Sequence, residues 1–293
     1  MSMHVYGEIV TAPGIAANNR GENEGNITTL QKILWNDEVH TTVSAEAIRW
    51  AIRYYWQLCG LEVNRRWDEE KNDHVWADEK WTGWTKADGK TYIDDDVLGY
   101  MKAEGGKTEG EKGRADKRRG MLEVARAIST TPFVGDITFN AKSGTKGRTS
   151  LYGTEVHATR YQYGFAMTPE RLRDRSRALL VLDAIASLGE VAGNQSRFLF
   201  DFSPESVVLR ITDDPAPRLL YCFQQTPDGQ ISAPELVRRV NVGDILGAEL
   251  FIGGPIAGDE AVKGIAGASL CEGVKNAVAA FKKEVAAKLG IAG

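Results

Sequence analysis

A break in composition divides the chain before any element can be assigned. Residues 64–131 hold Trp67, Trp76, Trp81 and Trp84, four of the seven tryptophans in 293 residues. Between Asp68 and Asp96 ten acids and four lysines leave a net charge of −6. So polar a segment, with a few large anchors, does not continue the strand and helix patterning on either side of it. It reads as a small subdomain inserted in a larger fold. The larger fold must then be built from residues 1–63 and 132–293.

Those flanks carry clear signals. His4 to Ala12 is β-rich and ends at Pro13-Gly14, which predicts a strand. Ser44, with Glu46 in the first turn, predicts the start of a helix running from Ala45 to about Cys59. Its inner face would be Ile48, Ile52, Tyr55 and Cys59. After the insertion, Val134–Asn140 and Thr154–Met167 read as two strands of a hairpin, and residues 141–152 form its basic, glycine-containing tip. Thr168-Pro169-Glu170 predicts a second helix reaching about Leu188. Ser206–Thr212, Arg218–Phe223 and Ala248–Ile252 read as strands, Pro234–Val240 as a short helix and Cys271–Leu289 as a C-terminal helix. Without the insertion and the hairpin tip, the order is strand, helix, strand, strand, helix, strand. That is the α+β ferredoxin-like arrangement, which is also that of the RNA-recognition motif.

The stretch from Asn18 to Arg53 is rich in groups that donate hydrogen bonds. It opens with Asn18, Asn19 and Arg20, continues through Thr28, Thr29, Lys32, Thr41 and Thr42, and closes on the helix start. Such a stretch is either a long polar loop or a surface that grips a sugar-phosphate strand by its backbone. Arg49 and Arg53, one turn apart, are either a solvated helix face or part of that grip. From Lys102 to Arg119, seven basic and four acidic residues give +3. This reads as a mobile surface loop ending in Lys117, Arg118 and Arg119. On the second hairpin strand Tyr161, Tyr163 and Phe165 share one face, and Arg160 and Gln162 share the other. Aromatics so placed can stack bases or build a core; Phe165 is assigned to the core.

Other chemistry is missing from the sequence. His4, His40, His74 and His157 are isolated, with no partner at metal-ligand spacing. There is no GxxxxGK[ST] and no GxSxG, so no metal and no cofactor are expected. Cys59, Cys222 and Cys271 are far apart and odd in number, which points to buried free thiols rather than a disulfide framework. Neither a signal peptide nor a membrane span is expected. The overall net charge of −4 argues against a free-standing DNA-binding protein.

Five blocks, GEIVTAPGIAANNRGENEGNITTLQKI, VSAEAIRWAIRYYW, TEVHATRYQYGFAM, GEVAGNQSRFLFDFSPESVVLR and LVRRVNVGDILGAELFIGG, resemble the DevR-type CRISPR-associated proteins. These are the crRNA-binding backbone subunits of type I Cascade complexes. The match runs from Met3 to about Gly254 and is weakest across Asn64 to Thr131. The resemblance implies a hand-shaped protein with an RRM-like palm, an inserted helical fingers subdomain and a β-hairpin thumb. Several copies would stack along one crRNA, each gripping its backbone, with a neighbour's thumb kinking out a base at regular intervals. Carried over by position, Asn18, Asn19 and Arg20 face the RNA, as do Ser44 and Arg49. Lys146, Arg148 and Tyr152 mark the thumb; His157, Arg160 and Gln162 lie on its returning strand, and Asn194 and Arg197 lie near the RNA.

Lys117, Arg118 and Arg119 are then expected to reach target DNA or an adjacent subunit. The implied partners are crRNA, target DNA, further copies and other Cascade subunits, in the cytoplasm and away from membranes. The implied role is not enzymatic. Related type III subunits cut RNA with an aspartate in the loop after the first strand, where this chain has Asn18, Asn19, Glu22 and Glu24. A third reading is a regulatory nucleic-acid-binding protein.

Overall fold

The structure, a computed structural model, describes residues 2–17, 23–86, 88–104, 114–142, 144, 150–192 and 198–292. Among these, nine strands form the main sheet: β1 (His4–Thr11), β2 (Lys32–Trp35), β3 (Glu38–Val43), β4 (Leu122–Val124), β5 (Ala127–Ser129), β6 (Tyr161–Met167), β7 (Pro204–Thr212), β8 (Leu250–Gly253) and β9 (Ser269–Cys271). Their order is β9-β8-β7-β1-β6-β5-β3-β2, with β4 also paired to β6. β1 is antiparallel to both neighbours, so Glu8 lies between Gly164 and Val208. The principal helices are α1 (Ala45–Leu58), α2 (Ile93–Leu98), α3 (Arg177–Ala186), α4 (Pro234–Asn241) and α5 (Val274–Leu289).

Strand alternation sends side chains to two cores. Val5, Ile9, Val207, Leu209 and Ile211 join a cluster with the inner faces of α1, α3 and α5. Tyr6, Val10, Val208 and Ile252 join a second cluster, completed by residues 219–265 and by Leu236 of α4. Both faces of the central strands are therefore dry, and each fully buried aliphatic or aromatic side chain contributes about 1.5–3 kcal/mol. Gly7 is required at the sheet centre, because a Cβ there would lie 2.2 Å from the Phe165 ring.

The helix after β3 forms as its sequence predicts. Ser44 Oγ accepts from Ala47 N at 3.2 Å. The buried stripe is Ile48, Ala51, Ile52 and Trp56. It is turned slightly from the predicted face, leaving Tyr55 half-buried and Cys59 exposed. Cys222 is buried, Cys271 is half-buried, and all three cysteines are free thiols. The second helix starts at Arg177 rather than Thr168. Only a single turn, Pro169–Arg171, forms at the predicted start. The reason is the sequence RLRDRSR, whose apolar content is Leu172 alone, together with Asp96, which accepts from the main-chain N–H groups of Arg173 and Asp174 at 3.1 Å each. Residues 218–223 are not a strand, since Arg218 and Tyr221 adopt positive φ.

The stretch read as a polar loop contains a sheet-edge hairpin, β2–β3. Its two-residue turn, Asn36-Asp37, has φ of 50° and 66°, the twist that two-residue hairpins favour. The inserted residues hold more strand than helix. Hairpins Arg65–Asp68/Asp73–Trp76 and Tyr100–Glu104/Arg114–Arg118 flank the six-residue α2. The segment read as a mobile basic loop thus has paired strands at both ends, while residues 105–113 lie outside the described residues. Buried Trp81 stacks on Tyr100 at 4.5 Å and half-buried Trp67 meets Trp50 edge-on, so these two are anchors, while Trp76 is exposed. β4 and β5, at the end of the same segment, belong to the main sheet.

Candidate nucleic-acid interface

Asn18, Asn19, Arg20, Lys146, Arg148, Asn194 and Arg197 lie outside the described residues. The residues that flank them are described, and they converge. Before Asn18, strand Gly14–Ala16 pairs with His157–Thr159, with Ala16 opposite His157. After residue 22, Ile27 and Thr28 pair with Gly153 and Thr154. The polar segment 18–22 is therefore tied on both sides to one run, residues 150–159. That run is also the return strand of the basic hairpin, in which Ile137–Lys142 pairs with Ser150–Glu155 from Ile137↔Glu155 to Lys142↔Ser150. After residue 197, the buried ring of Phe200 packs on Tyr161 at 5.5 Å. A Cβ on Gly14 would sit 3.0 Å from the same ring. Two polar segments, and the root of the hairpin that carries the third, thus start from one end of the sheet, where β1 finishes and β6 begins.

The floor beneath this end is a buried polar network. Thr41 Oγ1 is 2.8 Å from His157 Nδ1 and 2.9 Å from Tyr161 Oη. His157 Nε2 is 3.2 Å from the Pro132 carbonyl, and Phe133 meets the imidazole edge-on. Burial holds the His157 pKa below its ordinary value, so the ring is neutral at physiological pH. Arg160 donates to the Thr11 and Gly229 carbonyls and pairs with Glu205. Gln162 exchanges two hydrogen bonds with the Phe223 main chain, at 3.1 and 3.2 Å. Tyr161, Tyr163 and Phe165 are all core. Lys32 pairs with Glu155 at 2.6 Å, and Thr42 donates to the Ala127 carbonyl. Apart from Lys32, which is exposed, these side chains are buried or half-buried and set the shape of the floor.

The hairpin above it presents apolar surface. Phe139 and Leu151 are 80% and 66% exposed on one face, and Tyr152 is half-buried on the other. Composition does not single out Phe139; its alternation with Ile137 and Ala141 is the signal that marks it.

The remaining candidates sit elsewhere. Ser44 is engaged as the α1 cap. Arg49 donates to the Leu98 and Leu122 carbonyls, and Leu122 lies opposite Met167 at the far end of β6. Burial lowers the Arg49 pKa, yet the guanidinium remains charged. Arg118 lies 4.3 Å over the Trp84 ring and pairs with Asp96. Arg119 pairs with Glu123 on the surface, and Lys117 is exposed. The described candidate residues therefore fall into two groups, one around His157 to Gln162 and one around Arg49 and Lys117 to Arg119. Among the described residues no group of His, Cys, Asp and Glu is placed to hold a metal ion, and no helix is long and apolar enough to cross a membrane.

Three comparisons bear on this geometry. The family model described as "CRISPR-associated negative auto-regulator DevR/Csa2" matches residues 14–176. A "CRISPR-associated protein Cas7/Cst2/DevR" of Myxococcus xanthus (strain DK1622) is 50% identical over 299 residues, covering 97% of this chain and 98% of the relative. Among solved structures, a chain of a "CRISPR RNA-guided surveillance complex, pre-nicking" is similar in fold, with a TM-score of 0.57 at 12% identity over 94% of this chain and 99% of that one. A chain of a second "CRISPR RNA-guided surveillance complex" has the same TM-score at 16% identity, over 95% of this chain and 99% of that one.

Proposed function

This chain belongs to the Cas7/Cst2/DevR family of CRISPR-associated proteins, and from that membership we propose that it is the guide-RNA-binding backbone subunit of a type I Cascade complex. Several copies line up on one crRNA, hold its backbone and leave its bases free to pair with target DNA, the division of labour of RNA-guided effectors. The observation that carries this reading is the convergence, at one end of the sheet, of the flanks of 18–22 and 193–197 with the root of the hairpin that carries 143–149. Amides and guanidiniums from three segments suit contact with phosphate and sugar, and a guide of arbitrary sequence demands contact of that kind.

Strand order β7-β1-β6-β4/β5, with α1 and α3 on one face, supports an RRM-like palm. In that palm the second strand comes from residues 122–129, so the fingers run from Asn64 to about Gly120. The thumb is the hairpin 137–155. Asn18, Asn19, Arg20, Lys146, Arg148, Asn194 and Arg197 touch RNA, with Tyr152 at the thumb root. His157, Arg160 and Gln162 act from beneath, by fixing the floor. Ser44 and Arg49 hold the start of α1. Lys117, with Arg118 and Arg119 beside it, faces target DNA or an adjacent subunit. The subunit is cytoplasmic and non-catalytic, because residues 12–31 contain no aspartate to cut RNA.

The test is binding of crRNAs with unrelated spacers across a salt series. Arg20→Ala should weaken all of them alike and reduce the salt slope by about one phosphate contact. Losses that differ from spacer to spacer would mean that bases are read there and would overturn the backbone-only grip.

A further inference from the structure

On the helical side of the molecule, away from the converging segments, α1, α3 and α5 leave an open groove of about 610 Å³. Helical spacing explains it. On α5 Lys275, Val278, Ala279 and Lys282 follow i, i+3, i+4, i+7 and border the core side chains Ala277, Phe281 and Val285, with Val278 buried at the floor and Lys275 and Ala279 exposed. On α3 the stripe is Leu180, Asp183 and Ser187; on α1 it is Tyr55 and Cys59. Ala279, Ser187 and Cys59 are small, which is why the three helices meet over a trough rather than a ridge.

The groove has one sign of charge. Asp183 is the only acid in its lining, and it is neutralised by Lys282 across the floor at 2.6 Å. Lys275 and Lys283 are exposed at the rim and form no ion pair among the described residues. An apolar trough with a net positive rim on a chain of net charge −4 is a local reversal that selects an acidic occupant. The backbone selects its conformation. The lining is helical except for the turn after α1, whose N–H groups are already bonded: Cys59 to Tyr55, Gly60 to Gln57 and Leu61 to Trp56. An extended peptide would find no main-chain edge to pair with, whereas a helix needs only side-chain contacts. A nucleic-acid strand would set its charged backbone against Leu180 and Val278.

We propose that this groove docks an acidic amphipathic helix of a partner subunit. It does so with apolar anchors at i, i+3, i+4 and i+7 over Val278, Ala279 and Leu180, and with acids meeting Lys275 and Lys283. The proposal is independent of the guide-RNA reading, since the groove is complete in the free chain.

The test uses the full-length free chain and a fluorescein-labelled peptide of about 18 residues, roughly 27 Å as a helix. It carries leucines at the anchor spacing and glutamates on the flanks. Saturable binding by anisotropy is expected. Lys275→Glu with Lys283→Glu should weaken it about tenfold at low salt, with the loss shrinking as salt rises. Ala279→Trp, at an exposed helical position that leaves folding intact by circular dichroism, should abolish binding by filling the trough. A peptide with lysine in place of glutamate should bind the double reversal better than the parent protein. Equal binding of both peptides to the parent protein, or indifference to Ala279→Trp, would overturn the proposal. So would the finding, in an assembled complex, that a photo-crosslinker on Cys59 reacts only with nucleic acid or with another copy of this chain.

Discussion

Asp94, Asp95 and Asp96 are consecutive and buried, yet their partners separate their chemistry. Asp94 meets Arg53 at 3.2 Å and two main-chain N–H groups, those of Asn64 and Arg65. Asp96 meets Arg118 and Arg177. Asp95 has only neutral donors, Trp81 Nε1 at 3.1 Å and Asn64 Nδ2 at 2.9 Å. Burial, and then the charge on Asp94, push its pKa from 3.8 up to about 6. Below about pH 4 the carboxyl is protonated whether the chain is folded or not. Between about 4 and 6 the folded chain keeps a proton that the unfolded chain releases, so stability falls as pH rises, and the loss is complete above 6. Asp95→Asn, which keeps an acceptor and removes the charge, should therefore raise stability at pH 7 by about 1–3 kcal/mol. The gain should disappear towards pH 4. Urea denaturation of both proteins at several pH values checks this, and a gain that does not depend on pH would refute it.

At the level of elements, the hairpin 137–155 gives the sharpest expectation. Its paired length ends at Lys142↔Ser150, so an Asn-Gly turn in place of residues 142–150 closes the same two strands between Ala141 and Leu151. That variant should remain a folded monomer with unchanged secondary structure. It should fail to form regular multimers on crRNA in native mass spectrometry; full-length assemblies would mean that the hairpin is not the thumb. Local signals predicted the elements that local chemistry controls. Ser44 and Glu46 mark the start of α1, and Pro13-Gly14 marks the end of β1. They failed where a distant group decides. The late start of α3 depends on Asp96, 77 residues before Arg173, and the interior role of Thr41 depends on His157, 116 residues away. The sheet strands β4 and β5 were hidden for the same reason. Residues 122–129 look like the tail of a polar insertion until β6 is placed beside them. Among the candidate residues, the burial of His157, Arg160 and Gln162 was not legible, because polar residues on a strand carry no mark of which face is covered.

At the scale of the molecule, Asp96 joins three parts. It accepts from Arg118 of the inserted hairpin, from Arg177 of α3 and from the main chain at Arg173 and Asp174, with no exposure to solvent. Arg177→Ala takes away one of the two cations that compensate the buried Asp96 carboxylate, so it should cost about 3 kcal/mol. Hydrogen exchange should quicken in residues 64–120 more than in β1; uniform quickening would mean that the network is not a local clamp. The same topology also has a history in time. β1 is synthesised well before its neighbours, 161–167 and 204–212, and Glu8 precedes Val208 by about 200 residues. At roughly 5–20 residues per second, the nascent strand waits on the order of 10–40 s for its second partner. VYGEIV would be a sticky tail during that delay if it were wholly apolar. Glu8 interrupts it with a charge while the chain is in water, as residues that guard against aggregation do. In the finished sheet, burial raises the Glu8 pKa well above its ordinary value, which favours the protonated form. The same side chain protects the newborn strand as an anion and is driven towards its neutral form by the finished core.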